Sequence, residues 1–172
     1  MAVRLHAGEI GMKGDPKVVE LLNEALKAEL TAVNQYWLHY RLLDNWGVKK
    51  LAEFERSESI DEMKHADRFA ERILFLDGLP NFQALGRLRI GENVEEILKA
   101  DLEAELEAVK MYRDGAAYCE KVHDYVSRDL FTDVLATEEH HVDMLETQFE
   151  MIGRMGIQNY VQLQSEAASD ED

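Results

Sequence analysis

Apolar residues recur at intervals of three and four along four long stretches of the chain, which is the spacing of an amphipathic α-helix. These stretches predict helices over Pro16–Trp46, Val48–Asp77, Val94–Lys121 and Tyr125–Met155. A shorter amphipathic stretch, Ile157–Gln164, predicts a fifth helix. No stretch carries the alternating pattern of a half-buried β-strand, so the fold class is predicted to be all-α.

Helix-capping residues support these boundaries. Asp15 stands directly before Pro16, which combines an N-cap side chain with a proline in the first turn. Asp124 offers a similar cap to the fourth helix. Glycine, a common residue just beyond a helix C-terminus, follows the first, second and fourth helices at Gly47, Gly78 and Gly156.

The connections between the helices differ in length. Residues 45–47 are short enough to imply an antiparallel hairpin of the first two helices. Residues 78–93 lack helical periodicity and form a crossover that can run the height of a bundle, so that the third helix starts at the same end as the second. The predicted architecture is therefore two helix hairpins joined by a long crossover, a four-helix bundle with a short fifth helix.

Ionisable residues interrupt the apolar stripes at matching places. The second and fourth helices each carry a Glu-x-x-His motif, whose two side chains share one helix face. The motifs are Glu62-Met63-Lys64-His65 and Glu138-Glu139-His140-His141. A further glutamate lies on the stripe of the preceding helix, 33 residues before each motif, at Glu29 and Glu105. The chain thus repeats one unit and supplies four carboxylates and two imidazoles.

Four buried carboxylates at one level of a bundle would repel one another and raise their own pKa values unless positive charge lies between them. Pairing with surface lysine or arginine would explain a single glutamate, but not six residues on four stripes with a duplicated spacing. Two divalent cations would resolve the repulsion. Carboxylate oxygen and imidazole nitrogen suit iron or manganese, and thiolate ligands are missing from the stripes.

The same ligand arrangement, one Glu from each of two helices and one Glu-x-x-His from each of the others, characterises ferritin-like di-metal carboxylate proteins. By that match Glu62 and Glu138 would bridge the two metals. Glu29 and His65 would complete one site, and Glu105 and His141 the other. Such a pair can bind two Fe(II) ions and pass two electrons to one oxidant, either O2 or peroxide. Tyr36, two turns after Glu29, is either a supporting group or an ordinary core tyrosine.

Neighbouring reactive residues are predicted to play no part in this centre. Glu139 and His140 are rotated away from the stripe of their helix. His39 and His123 are interpreted as surface residues or as residues with satisfied hydrogen bonds. The single cysteine, Cys119, is interpreted as a small core residue, and on its own it cannot form an intrachain disulfide.

The composition of the chain limits the kinds of molecule that it is expected to bind. The formal net charge of −16 argues against binding to nucleic acid and fits cations, although solubility alone would also explain it. No apolar run reaches the ~18 residues of a membrane helix, and the first residues lack the apolar core of a signal peptide. We expect residues 1–14 to be a flexible extension, residues 15–165 to be the di-metal domain, and residues 166–172 to be an acidic tail.

From Met12 to Gln164 the chain resembles the bacterioferritins, the haem-containing branch of the ferritins. The resemblance is carried by several blocks of sequence, of which the long block from Glu58 to Asp67 is the most specific. The blocks are Met12-Lys13-Gly14-Asp15, Asn34-Gln35-Tyr36, Glu58-Ser59-Ile60-Asp61-Glu62-Met63-Lys64-His65-Ala66-Asp67, Arg72-Ile73-Leu74-Phe75-Leu76, His123-Asp124-Tyr125-Val126-Ser127-Arg128 and Glu138-Glu139.

The resemblance implies a function. It implies a cytoplasmic iron-storage protein that oxidises Fe(II) with O2 or H2O2, a ferroxidase, and deposits ferric mineral inside a 24-subunit shell built from dimers. It also implies that Met63 ligates a haem b shared between two subunits; without the resemblance, Met63 would be interpreted as an interface residue. A small ferredoxin-type protein is the implied electron donor, and the fifth helix is implied to lie near the fourfold axes.

Two departures from the family and two alternatives remain. Residues 1–11 precede the usual start, and Ser57 stands where some relatives have an iron-binding histidine, although Asp61 could still hold iron weakly. One alternative is a di-iron peroxidase or oxidase that stores no iron. Another is a haem-binding structural subunit whose di-metal site is incidental.

Overall fold

The computed structural model describes residues 14–166, which form five α-helices and no strand. The helices are α1 (Pro16–Asn45), α2 (Lys49–Phe75), α3 (Val94–Lys121), α4 (Tyr125–Met155) and α5 (Ile157–Gln164). The predicted all-α class is confirmed, and α3, α4 and α5 have the predicted bounds. The expectations for the N-terminal extension and the acidic tail fall almost wholly outside the described residues.

The helix ends show why the sequence sets these bounds. Asp15 accepts hydrogen bonds from the backbone N–H groups of Lys17 and Val18 at 2.8 and 3.2 Å, and Asp124 accepts one from Ser127 at 3.0 Å. Helix α2 ends two residues earlier than predicted. The residue in the left-handed conformation there is Asp77, with φ 60°, which aspartate tolerates better than most residues, and Gly78 follows it.

Helix α1 packs along α2, and α3 packs along α4. The crossover makes α2 and α3 parallel, since Glu55 lies near Asp101 at one level and Phe69 lies near Tyr112 at another. Polar residues separate two apolar clusters inside the bundle. One cluster surrounds Phe69, Tyr112 and Phe131, and the other is built around Leu43, Ile97 and Tyr160. The bundle interior is therefore apolar at both ends and ionisable in the middle.

The crossover follows α1 along much of its length. Its backbone N–H groups donate to α1 side chains at three successive levels: from Gly86 to Thr31 Oγ1 at 2.8 Å, from Arg89 to Gln35 Oε1 at 2.9 Å, and from Gly91 to His39 Nε2 at 3.2 Å. This segment therefore has fixed partners despite its lack of secondary structure. Among residues 14–166, no helix is both long enough and apolar enough to cross a membrane.

Candidate metal centre

The six residues predicted as metal ligands converge in the middle layer of the bundle. Each of the four long helices contributes at least one of them, and none is more than 7% exposed. They are Glu29, Glu62, His65, Glu105, Glu138 and His141. Helical spacing explains the convergence, because each Glu and His of a motif is separated by three residues and so projects from one face.

These side chains fall into two groups of four that could each hold a metal ion. The first group is Glu29, Glu62, His65 and Glu138, and the second is Glu62, Glu105, Glu138 and His141. Within each group one ligand atom from every residue lies within 4.8 Å of the others. Glu62 and Glu138 belong to both groups, which is the geometry required of carboxylates that bridge two ions.

Both imidazoles turn Nδ1 towards the carboxylates. Nδ1 of His65 lies 3.2 Å from Glu138 Oε1, 3.3 Å from Glu62 Oε2 and 3.6 Å from Glu29 Oε2. Three carboxylates from three helices therefore surround one ring nitrogen. A cation at this point would meet both nitrogen and oxygen donors.

His141 occupies the corresponding position in the second group, with one addition. Its Nδ1 lies 2.9 Å from Glu138 Oε2, and its Nε2 lies 2.8 Å from Glu58 Oε2. Glu58 stands four residues before Glu62, and the corresponding residue before Glu138 is Val134. The two halves of the centre are therefore unequal. The Nε2 atom of His141 contacts a carboxylate, whereas the residue equivalent to Glu58 in the other half is the apolar Val134.

Several buried ligand atoms make no hydrogen bond of good geometry among the described residues, although imidazole nitrogens lie close to some of them. They are Glu29 Oε2, Glu62 Oε1, both carboxylate oxygens of Glu138, and His141 Nδ1. An unpaired buried polar atom costs free energy, so such a concentration of them is typical of a site that binds a charged ligand. The set of carboxylate oxygens and imidazole nitrogens fits two iron or manganese ions.

The pKa values of these groups reflect the same crowding. Burial raises the pKa of Glu29 and of Glu105 well above the ordinary value for a carboxyl group. Burial alone would lower the pKa of His65, but hydrogen bonds with Glu138 and its other carboxylate neighbours raise it to about 12. The pKa of His141 is raised for the same reason. The surrounding carboxylates thus favour the protonated form of both imidazoles until a cation binds there.

Two tyrosines donate hydrogen bonds to the outer carboxylates. The hydroxyl of Tyr36 donates to Glu105, and the hydroxyl of Tyr112 donates to Glu29. Tyr36 thus supports the carboxylate of α3 and not the glutamate of its own helix. Tyr112 was not predicted, although a signal existed: each tyrosine follows the glutamate on its own helix by seven residues.

The remaining residues singled out from the sequence lie outside the two groups. Glu139 and His140 are exposed, and Glu139 contacts Arg113 at 2.5 Å. His123 is exposed, whereas His39 is buried and hydrogen-bonded to Asp101. Cys119 lies in the core, where burial raises its pKa to about 11. Met63 is 45% exposed on the outer surface of α2.

A cavity of about 290 Å³ lies between α1, α3 and the crossover. It reaches all four predicted carboxylate ligands and is lined nearer the surface by charged residues of both signs, Glu24, Lys27, Arg87, Arg89 and Glu107. The carboxylates are therefore connected to the exterior of the bundle although their side chains are almost fully buried.

Comparison with known proteins identifies the family. The Ferritin-like domain model matches residues 19–155. The bacterioferritin of Brucella melitensis biotype 1 is 52% identical to the chain, over 94% of this chain and 100% of the relative. The bacterioferritin of Rhodobacter capsulatus is 51% identical, over 88% and 94%, and that of Streptomyces coelicolor is 51% identical, over 87% and 90%. With this similarity along nearly the whole chain, and with the ligand geometry of the bundle, the chain belongs to the bacterioferritin family.

Proposed function

We propose that this protein stores iron and that each chain acts as a ferroxidase, oxidising Fe(II) to Fe(III) at the centre formed by the two groups of four residues. The observation that carries the proposal is the sharing of Glu62 and Glu138 between those groups. Two metal ions bound side by side can deliver the two electrons that reduce O2 to H2O2, or H2O2 to water, without a free radical intermediate.

Each residue has a proposed role towards the substrate ions. Glu62 and Glu138 bridge the two Fe(II) ions. Glu29 and His65 complete one site, while Glu105 and His141 complete the other. The unpartnered oxygens of Glu29, Glu62 and Glu138 supply negative charge that holds Fe(II) and then favours Fe(III), because the site is buried and electrostatic interactions are stronger there.

Haem b is proposed to bind through Met63. A thioether is a soft ligand suited to haem iron. Met63 is exposed on the surface of α2, and two other large apolar side chains of α1 and α2, Trp37 and Ile60, are exposed as well. Met63 is open to solvent in the single chain, and the haem would be held by this residue together with Met63 of a second copy. Bound haem would supply one-electron transfer, which suits the return of electrons to stored ferric iron.

Self-association is proposed to build a 24-subunit shell from dimers, with the mineral inside. Exposed apolar side chains support association, because patches of this kind mark interfaces. Several lie on the crossover, at Leu79, Phe82, Leu85, Leu88 and Ile90.

We further propose that a small ferredoxin-type protein donates electrons to the haem and that the protein is located in the cytoplasm. Residues 15–165 are proposed as the domain that folds around the metal centre.

The two alternatives from the sequence are less favoured. A di-iron peroxidase or oxidase without storage would use the same ligands, but the relatives that match the chain along nearly its full length are bacterioferritins. A structural haem subunit would have no need of six buried ligand residues, four of which carry unpartnered atoms.

Stopped-flow oxidation of Fe(II) by the metal-free protein in air tests the proposal. We expect a fast phase that saturates at about two Fe(II) per chain, as two-metal sites require. E138Q should abolish it, whereas E139Q, a matched change of the exposed neighbour, should leave it intact. A fast phase that survives in E138Q would reject the assignment. Gel filtration tests storage separately, because a monomer or dimer could not enclose a mineral.

A further inference from the structure

A second buried polar cluster lies beside the metal centre, and the proposed function does not use it. It consists of His39 from α1, Glu55 from α2 and Asp101 from α3, and each side chain is 0% exposed. Glu55 precedes Glu62 by seven residues and Asp101 precedes Glu105 by four, so the cluster lies one to two helical turns, roughly 6–10 Å, along the bundle from the centre.

The hydrogen bonds of the cluster fix the state of its imidazole. Nδ1 of His39 lies 2.9 Å from Oδ2 of Asp101, and the backbone N–H of Gly91 donates to Nε2 at 3.2 Å. Because Nε2 accepts a hydrogen bond, it carries no proton, so the proton of the ring is on Nδ1 and the imidazole is neutral. Asp101 also accepts a hydrogen bond from Gln35 at 2.8 Å. Asp101 therefore has the donors expected around a carboxylate.

Glu55 has no such partners. Both of its carboxylate oxygens lack a hydrogen-bonding partner among the described residues, and within residues 14–166 neither Glu55 nor Asp101 forms an ion pair with lysine or arginine. Two ionised carboxylates beside a neutral imidazole would leave two uncompensated negative charges inside the bundle. That arrangement is too costly to persist, so a cation or a proton must be present.

The geometry favours a proton over a metal ion. A metal bound at Nδ1 of His39 would force the ring proton onto Nε2, where it would face the N–H of Gly91. Gly91 cannot retreat easily, because its backbone packs so closely on α3 that a Cβ there would lie 2.3 Å from the backbone nitrogen of Ile97. A proton placed between the two carboxyl groups requires no rearrangement of this kind.

The internal repeat indicates that folding does not require the cluster. In the other half of the repeated unit, the positions equivalent to its three residues are Gly115, Phe131 and Ala25. Those three are buried, and Gly115 packs directly on the Phe131 ring. The other half of the repeat therefore packs apolar residues at the equivalent level, which lies towards the opposite end of the bundle, and the polar residues of the cluster need another explanation.

We propose that Glu55 and Asp101 form a buried proton-binding site in which neutral Glu55 donates its proton to the carboxylate of Asp101. The titratable groups near Glu55 include His39 and Tyr36 from α1, Glu58 from its own helix, Asp101 and Glu105 from α3, and Tyr160 from α5, and no lysine or arginine within residues 14–166 forms an ion pair with it. Burial raises the pKa of Glu55 well above its ordinary value, and the charge of Asp101 raises it further. The bound proton halves the negative charge that the cluster presents to the metal centre.

Infrared spectroscopy of the assembled, zinc-loaded protein tests the site. Zinc keeps the ligand carboxylates of the centre ionised without redox chemistry, so the C=O stretching band of a buried carboxylic acid reports Glu55. We expect that band at pH 7 in the wild type, with a shift in D2O, and its loss in E55Q. The amide of glutamine can donate to Asp101 as the acid does, so the variant should fold. E53Q, which changes an exposed glutamate of the same helix, should retain the band.

Two further measurements test the proton-binding site independently of the band in E55Q. In D101N the acid band should disappear at a lower pH than in the wild type, because Glu55 loses its negative neighbour; this reading does not depend on E55Q. Zinc stoichiometry should be the same in the wild type and in E55Q. A missing acid band in the wild type, or one zinc ion fewer per chain in E55Q, would overturn the proposal in favour of an ionised pair or a metal site.

Discussion

The hydroxyl of Tyr112 in α3 donates a hydrogen bond to the carboxylate of Glu29 in α1. In the opposite direction, the hydroxyl of Tyr36 in α1 donates a hydrogen bond to the carboxylate of Glu105 in α3. The two hairpins of the bundle therefore exchange support, since each provides an outer carboxylate and the tyrosine that orients the outer carboxylate of the other. A metal centre built in this way depends on the pairing of α1 with α3 as well as on the motifs of α2 and α4.

Removing either tyrosine hydroxyl should weaken one half of the centre. Y112F leaves Glu29 without its donor and Y36F does the same to Glu105, and loss of such an orienting contact costs about 10–100-fold in metal affinity. Titration with Co(II), followed by its absorption spectrum, should show one weakened site of two in each variant. Y125F removes an exposed hydroxyl outside the centre and should titrate like the wild type. Equal weakening of both sites in Y112F would contradict a one-to-one pairing.

Metal binding should release protons and strengthen as pH rises. The pKa of His65 is raised to about 12, so its metal-free imidazole holds a proton throughout the neutral range, and that proton must leave before Nδ1 can bind a cation. Affinity for Zn(II) should therefore fall as pH falls from 9 to 6. Proton release into weakly buffered solution, measured with a pH indicator, should reach at least about one proton per Zn(II), because the carboxyl groups of Glu29 and Glu105, whose pKa values are also raised, add to the protons that the imidazoles give up. Release that is absent at pH 7 would show that the imidazoles are already neutral.

The sequence predicted those parts of the structure that depend on local periodicity and capping. Asp15 and Asp124 cap their helices as expected, and the six residues on the apolar stripes meet in one layer because a stripe must face the interior. The burial of Glu55 was not predicted, because hydropathy gives no reason to bury a carboxylate. Glu55 lies beside His39 and Asp101, which are distant from it in sequence.

Met63 should be separable from the metal centre. M63L keeps the volume and apolar character of the side chain but removes the sulfur that is proposed to ligate haem iron. We expect the purified variant to lose the haem absorption band while the fast phase of Fe(II) oxidation is unchanged. M151L, a change of a half-buried methionine in α4, provides the control and should retain the haem. Retention of haem by M63L would reject the assignment.

Gly91 should tolerate no side chain. A Cβ at this position would lie 2.3 Å from the backbone nitrogen of Ile97, so G91A must displace the crossover from the start of α3. Overpacking of this kind costs about 1–3 kcal/mol. Gly153 in α4 is the matched control, because nothing lies within 4 Å of its Cβ position, and G153A should stabilise the helix by up to about 1 kcal/mol. Thermal unfolding should therefore shift in opposite directions for the two variants.

The proton proposed for Glu55 makes a prediction about the pH dependence of stability. Because the pKa of Glu55 is raised in the folded protein, the folded state binds a proton that the unfolded chain gives up above about pH 4.5. Stability is therefore fully present below that pH and is lost as pH rises towards the folded pKa, by about 1.4 kcal/mol per pH unit. E55Q has no proton to lose. Its melting temperature relative to the zinc-loaded wild type, measured by calorimetry, should rise steadily between pH 5 and pH 8, whereas E53Q should show no such trend. A constant difference across this range would mean that Glu55 is ionised in the folded protein.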